Sequence, residues 1–257
     1  MRRPRFSGFV SIAVLLFLYI PILILIISSF NASRFGGEWE GFSLRWYVRL
    51  FQDREIWHAV QNTLIVGVTA TVISTVLGSM VAYAIFRFKS YLQKISFLLT
   101  YSTLILPEVL MGMSMLLLFM TLFVPLGLTT IIITHTTFCI AYVALVVLAR
   151  LEHFNIDVIE AAQDVGASLT QVAFKIVIPM LMPAILSGAL LAFTISIDDY
   201  IITSFVVGPG SSTLPIHIYG MIKFGATPEV NALSTILILI TFFLAFFTQS
   251  LTKESVV

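Results

Sequence analysis

The chain has 257 residues, 59% of them hydrophobic and 11% charged, with a formal net charge of +1 and a mean hydropathy of +1.04. A soluble domain of this size carries about 25% charged residues, so one aqueous core is excluded and a bilayer is the natural solvent. The near-neutral balance offers no footprint for nucleic acid, and the length suits a single domain, 1–257. The one cysteine, Cys139, lies in an apolar run, which excludes an intramolecular disulfide.

A membrane-spanning helix needs about 20 apolar residues. The first such run, 9–30, follows the basic start MRRPRF. It is too long for the apolar region of a signal peptide and lacks a small-residue cleavage site, which predicts a retained first helix. Pro21 within it is a tolerable kink. A polar stretch from Asn31 to His58 follows. The second span, 59–86, is free of charge and holds Gly67, Gly78 and Ser79, residues small enough for close helix packing.

The basic hairpin RFKSYLQK leads into a long region without charge from Val109 to Ala149. One helix over that region would be about 60 Å long, twice a bilayer core. A turn at Val124 to Gly127 therefore divides spans 95–123 and 128–149. The last two spans are 180–207 and 230–251, separated by a Gly- and Pro-rich loop with room for a short helix. The expected fold is all-α, with six transmembrane helices.

Lys and Arg mark the cytoplasmic side. Arg2, Arg3, Arg5, Arg87, Lys89, Lys94, Arg150, Lys175 and Lys253 fall on the side of the amino terminus. Arg34, Arg45, Arg49, Arg54 and Lys223 fall on the other. Both termini are expected in the cytoplasm.

The segment 155–179 lies on that cytoplasmic side and is densely punctuated. Asp157 with Glu160, and Ser168 with Gln171, have capping-box spacing. Gly166 between them suits the residue just past a helix end, and Pro179 is expected to stop the second helix before the membrane. Two short helices joined by a sharp turn make either a docking knob or an amphipathic re-entry loop.

The stretch EAAQDVGASLTQVAFKIVIP resembles the signature loop of the inner-membrane subunits of bacterial ABC importers, with Glu160, Ala161, Ala162, Gly166, Ile176 and Pro179 at the motif's spacing. Ile178 stands where Leu usually precedes the proline. SSFNASRFGGEWEGFSLRWYVRLF and FTISIDDYIITSFVVGPGSSTLPIHIYGMIKFGATPEVNALSTILI further resemble the spermidine/putrescine permeases of that group. The resemblance implies the type I importer permease fold in the bacterial inner membrane, with the loop as a coupling helix for a cytoplasmic ATPase. Glu160, Ala161, Ala162, Asp164, Gly166 and Pro179 are its implied coupling residues. It also implies a sister permease subunit, two copies of the ABC ATPase using MgATP, and an extracytoplasmic polyamine-binding protein.

Glu108, Asp198 and Asp199 fall inside apolar segments, where a carboxylate is costly and by default functional. A polyamine offers little to recognise but spaced ammonium groups, which carboxylates and aromatic faces can meet. Asp198, Asp199 and Tyr200 fit that demand. Adjacent acids on a helix point about 100° apart, so one aspartate faces a route and the other caps a helix break or meets a neighbouring subunit. Glu108, after Pro107 in an expected kink, lines the route or bonds another helix.

Phe30, Phe35, Trp39, Trp46, Tyr47 and Trp57 read as an interfacial aromatic belt and external loop. The outward loops Trp39 to Tyr47 and Lys223 to Glu229 are candidates for meeting the binding protein. His58, His135, His153 and His217 are scattered, so no metal site is indicated, and Cys139 reads as packing. The chain has no phosphate-binding GxxxxGK[ST] loop and no nucleophile–base pair, so a non-catalytic subunit without a bound cofactor is expected. The shared loop does not identify cargo, which leaves another small solute open. A lone proton-coupled carrier would need no coupling loop.

Overall fold

The computed structural model describes residues 5–34, 38–87, 91–223 and 228–253, and the side chains of 5–7, 92, 241 and 243–253 are not described. Arg2, Arg3, Phe35, Lys89 and the 224–227 part of the second outward loop lie outside the described residues. In chain order the helices are α1 (Arg5–Ser28), α2 (Arg45–Gln52), α3 (Arg54–Arg87), α4 (Tyr91–Ile105), α5 (Glu108–Thr121), α6 (Leu128–Leu151), α7 (Asp157–Asp164), α8 (Leu169–Val172), α9 (Ile178–Asp198), α10 (Ile201–Val206), α11 (Leu214–Lys223) and α12 (Pro228–Lys253). A π-type turn, Ala173–Val177, joins α8 to α9. Four stretches are long and apolar enough to cross a membrane: Gly8–Ser28, Arg54–Arg87, Leu128–Leu151 and Leu169–Asp198. A fifth crossing results if Gln93–Ile105 and Glu108–Thr121, bent by 113°, form one span, and Pro228–Ile240 is a shorter apolar helix. The fold is all-α and multi-pass.

Two segments differ from their expected outlines. The 95–123 segment is a sharply bent helix pair rather than a kinked span, because Pro107 adopts extended backbone (φ −58°, ψ 136°) and starts α5 afresh. The 180–207 segment is also broken, between α9 and α10, where Asp199 is extended.

The chain divides into two compact units, Met1–Trp57 with His217–Val257, and His58–Ile216. In the first, α12 packs on α1 and α2. Trp46 and Leu50, one turn apart, form the buried face of α2. The Trp46 Nε1–H donates to the Asn31 carbonyl at 2.8 Å, and the Asn31 side chain holds the loop at Ser33, Glu38 and Glu40. Trp46 is therefore a core residue of this unit, unlike the exposed Trp39 and Trp57. Arg49 pairs with buried Glu229 at 2.5 Å.

The second unit is organised around α6, which is buried along much of its length. Two glycines let neighbours approach it. A Cβ on Gly78 of α3 would lie 2.8 Å from Val143 Cβ, and one on Gly188 of α9 would lie 3.3 Å from Val143 Cγ1. Gly67 of α3 makes a similar approach to Ile197 of α9. Backbones packed this closely replace the missing hydrophobic drive in lipid with van der Waals contact. Cys139 is fully buried there, in the same apolar cluster as Val143 and Ala192.

Candidate functional site

At the end of α9 the chain leaves the helix, and the side chains around the break are tied to α6. Every helix break leaves unpaired backbone groups, which are expensive inside an apolar layer. Asp199 meets that cost for α10. Its Oδ1 accepts from the Ile202 N–H at 3.2 Å, and its Oδ2 accepts from the Thr203 N–H at 2.7 Å and the Thr203 hydroxyl at 2.6 Å. His135, on α6, lies against the same group: Nε2 is 2.9 Å from Thr203 Oγ1 and 3.4 Å from Asp199 Oδ2, and Nδ1 is 2.8 Å from Ser196 Oγ. With a neutral ring the donors close in one order. The Nε2–H donates to Thr203, whose hydroxyl donates to Asp199, and Nδ1 accepts from Ser196.

The His135 and Asp199 side chains are only 1% and 7% exposed. The far end of α10 is held as well, since Thr130 Oγ1 lies 2.8 Å from the Val206 carbonyl. Beyond it Gly208 passes so close to α6's lead-in that a Cβ would stand 1.9 Å from the Leu126 carbonyl oxygen. Asn62 and Thr63 of α3 then fix the following loop through Ser212 O and Leu214 N–H.

The expected route residues thus separate. Asp199 is covered and bonded, whereas Asp198, the last residue of α9, is exposed, and Tyr200 is half-buried. Glu108 is exposed in the first turn of α5, at the 113° bend. His135 is the residue that sequence reasoning missed. Histidine spacing points to no metal site, but an ionisable side chain inside an apolar helix is the signal that marks this position.

The second candidate region is the 155–179 segment. Ser168 and Gln171 form the expected capping box, with the Gln171 N–H donating to Ser168 Oγ at 3.3 Å and the Ser168 N–H to Gln171 Oε1 at 2.9 Å. The Asp157–Glu160 box does not form. Asn155 Oδ1 accepts the Asp157 N–H at 2.9 Å instead, which places Asp157 inside the helix. Gly166 has φ +87° and ends α7, with the Gly166 N–H on Gln163 O at 2.8 Å and the Ala167 N–H on Ala162 O at 3.0 Å. Those two bonds are the Schellman pair.

Pro179 does not stop the second helix: the chain coils on from Leu169 to Asp198. Proline lacks an N–H and its ring crowds the carbonyl four residues back. The π-type turn just before it, closed by the Ile178 N–H on Ala173 O, relieves that crowding by widening the coil. Ile159, Val172 and Val177 face inward and share one apolar cluster with Val147 and Leu151 of α6. Glu160, Ala161, Asp164 and Gly166 face outward. So do Val165 and Leu169, 87% and 75% exposed, two large apolar side chains flanking the turn.

A multi-pass helical unit with a rigid, outward-facing helix pair between two of its spans defines a class of membrane transport subunits. Residues 74–253 match the family described as binding-protein-dependent transport system inner membrane component, and the chain belongs to that family. It is a multi-pass inner-membrane protein. It is 38% identical over 248 residues to the spermidine/putrescine transport system permease protein PotC of Escherichia coli (strain K12), covering 96% of this chain and 94% of that one. It is 42% identical over 230 residues to the putrescine transport system permease protein PotI of the same organism, covering 86% and 82%. Among solved structures, a chain of a bacterial ABC transporter involved in the import of the acidic polysaccharide alginate superposes with a TM-score of 0.74, at 18% identity and over 97% of this chain and 98% of that one. This last likeness concerns the fold alone.

Proposed function

We propose that the chain is a permease subunit of a polyamine ABC importer and forms the translocation route together with a sister permease. The observation that carries the reading is its similarity, over nearly its full length, to permeases named for spermidine and putrescine. The exposed carboxylates at two helix breaks support it, because a polycation needs spaced acceptors along its path. Asp198, Tyr200 and Glu108 line that path, and six spans carry it: 9–30, 59–86, 95–123 as the bent pair, 128–149, 180–207 and 230–251. Both termini are cytoplasmic.

The 155–179 segment docks on one of two cytoplasmic ATPase copies. Val165 and Leu169 enter its groove, with Glu160, Ala161, Ala162 and Asp164 around them and Gly166 making the turn. Because Ile159, Val172 and Val177 share a core with α6, a pull on the segment reaches the helices of the route directly. An extracytoplasmic binding protein delivers cargo to the outward loops, and hydrolysis of MgATP belongs to the partner. Another small solute as cargo is the second reading, since the coupling segment is common to importers of many solutes.

The test is ATP-dependent uptake of radiolabelled spermidine and putrescine into proteoliposomes holding this chain with the sister permease, ATPase and binding protein. Uptake that requires ATP and all four components is expected. An assembled complex that carries another solute and neither polyamine would refute the cargo and leave the importer standing.

A further inference from the structure

We infer that His135 and Asp199 are a positioning pair: locked on α6, they hold the break between α9 and α10 so that Asp198 presents its carboxylate to the cation route, and neither touches cargo. The inference rests on the cation-route reading above. Asp199 is turned away from cargo, since its side chain is 7% exposed and both oxygens already accept protein hydrogen bonds. Both nitrogens of His135 are likewise engaged, within a side chain 1% exposed.

The exposure of Asp198 depends on that lock. Asp199 is extended (φ −69°, ψ 120°), and its side chain occupies two of the N–H groups that open α10. Without those acceptors the break leaves orphaned donors in an apolar layer, and continuing the helix from α9 into α10 becomes the cheaper backbone. In a continuous helix Ile201 and Ile202 would stand over Asp198 at i+3 and i+4, where the break now leaves its carboxylate open. Thr203 is the joint of the lock, accepting from the ring and donating to the carboxylate.

The reconstituted four-component importer tests this by uptake of spermidine and of putrescine, with assembly read by co-purification of the ATPase. The variants are Asp198→Asn, His135→Ala, Thr203→Val and Thr203→Ser, with each of the first two lock variants also combined with Asp198→Asn. Asp198→Asn is expected to lower uptake about tenfold and to shift the spermidine-to-putrescine ratio, the loss expected of one charge-assisted contact. His135→Ala and Thr203→Val reproduce both changes in an assembled complex. Adding Asp198→Asn to either lowers uptake less than about twofold further, because groups acting as a unit are non-additive. Thr203→Ser restores the hydroxyl and recovers uptake and ratio.

Thr203→Val keeps both members of the pair, so the proposal does not hang on His135→Ala folding. Multiplicative losses in the combined variants, or an unchanged cargo ratio in Thr203→Val, overturn the positioning pair while leaving Asp198 on the route. Wild-type uptake of both polyamines in Asp198→Asn overturns the pair's role and the route assignment together. No polyamine uptake by the unmodified importer, with another solute carried, refutes the cargo reading itself.

Discussion

The 155–179 segment and the α9–α10 break sit at opposite ends of the coil from Leu169 to Asp198 and are stabilised in opposite ways. Every polar bond that shapes the segment joins residues two to five apart: Asn155 to Asp157, Ala162 to Ala167, Ser168 to Gln171. The bonds that fix the break to α6 join His135 to Ser196 and to Thr203, 61 and 68 residues apart. Locally closed polar structure keeps its turn and caps within the segment itself, while Ile159, Val172 and Val177 seat it on α6. Structure closed over a distance is rigid only while its helices keep their arrangement, which suits a place where a route is shaped.

Each of the four substitutions below attacks one region, and their sizes should differ as the bonding does. Asp199→Ala is the largest. It removes the cap of α10 and leaves the Ile202 and Thr203 N–H groups and the Thr203 hydroxyl without their acceptor, and each buried group orphaned in this way costs about 1–3 kcal/mol. A large drop in thermal unfolding temperature of the purified subunit in detergent is expected, with Asp199→Asn, which keeps one acceptor oxygen, falling between. Equal stability of wild type and Asp199→Ala would mean that the network is ornamental.

Gly208→Ala comes next. Its Cβ would sit 1.9 Å from the Leu126 carbonyl, a backbone atom that cannot swing aside. Overpacking of this kind costs about 1–3 kcal/mol and should loosen the Thr130–Val206 end of the lock. Hydrogen exchange across 201–206 should rise in this variant while exchange across 157–172 stays as in wild type. Changes of equal size in both regions would break the comparison.

The same contrast explains what was legible in the sequence. The 155–179 segment could be read almost residue by residue because capping boxes and a terminal glycine are local grammar: Ser168, Gln171 and Gly166 do what their types and spacing require. The failures there were also local. Asn155 outcompeted Asp157 for the cap, and a widened turn let Pro179 stay in the helix. Helix existence was legible from hydropathy, and small residues such as Gly78 pointed to close packing. A helix break capped by one of the two aspartates was legible as an alternative, and Asp199 makes it, but its tie to His135 was not, because no period in the 180–207 run records a residue on another helix. The bend at Pro107 was visible as a kink, but its 113° angle is set by packing that periodicity does not encode.

Gly166→Ala tests the grammar. The position has φ +87° with open space for a Cβ, so the only penalty is backbone strain in the left-handed region. That strain costs about 1–2 kcal/mol for a residue with a Cβ, and it falls on the turn that displays Val165 and Leu169. Thermal stability of the whole subunit should barely move, because α7 remains packed through Ile159. ATP-dependent uptake should fall severalfold through weaker engagement of the ATPase. If stability fell as far as in Asp199→Ala, the segment would not be the independent knob described here.

Ser168→Ala should have the smallest effect. The Ser168 side chain is exposed and its acceptor bond, at 3.3 Å, is long, while the reciprocal bond from the Ser168 N–H to Gln171 Oε1 survives the substitution. Loss of an N-cap side chain costs about 0.5–2 kcal/mol, and the surviving half of the box argues for the lower end. The variant should fray 168–172, raising hydrogen exchange there alone, and Ser168→Asp, which restores an acceptor, should reverse it. Because Val172 and Val177 remain in the core shared with α6, fraying at Ser168 should stop before the π-type turn. Exchange that spread through 173–198 would show that the box, rather than the core behind it, anchors the long helix. The 155–179 segment would then be part of that helix's foundation instead of a knob set upon it.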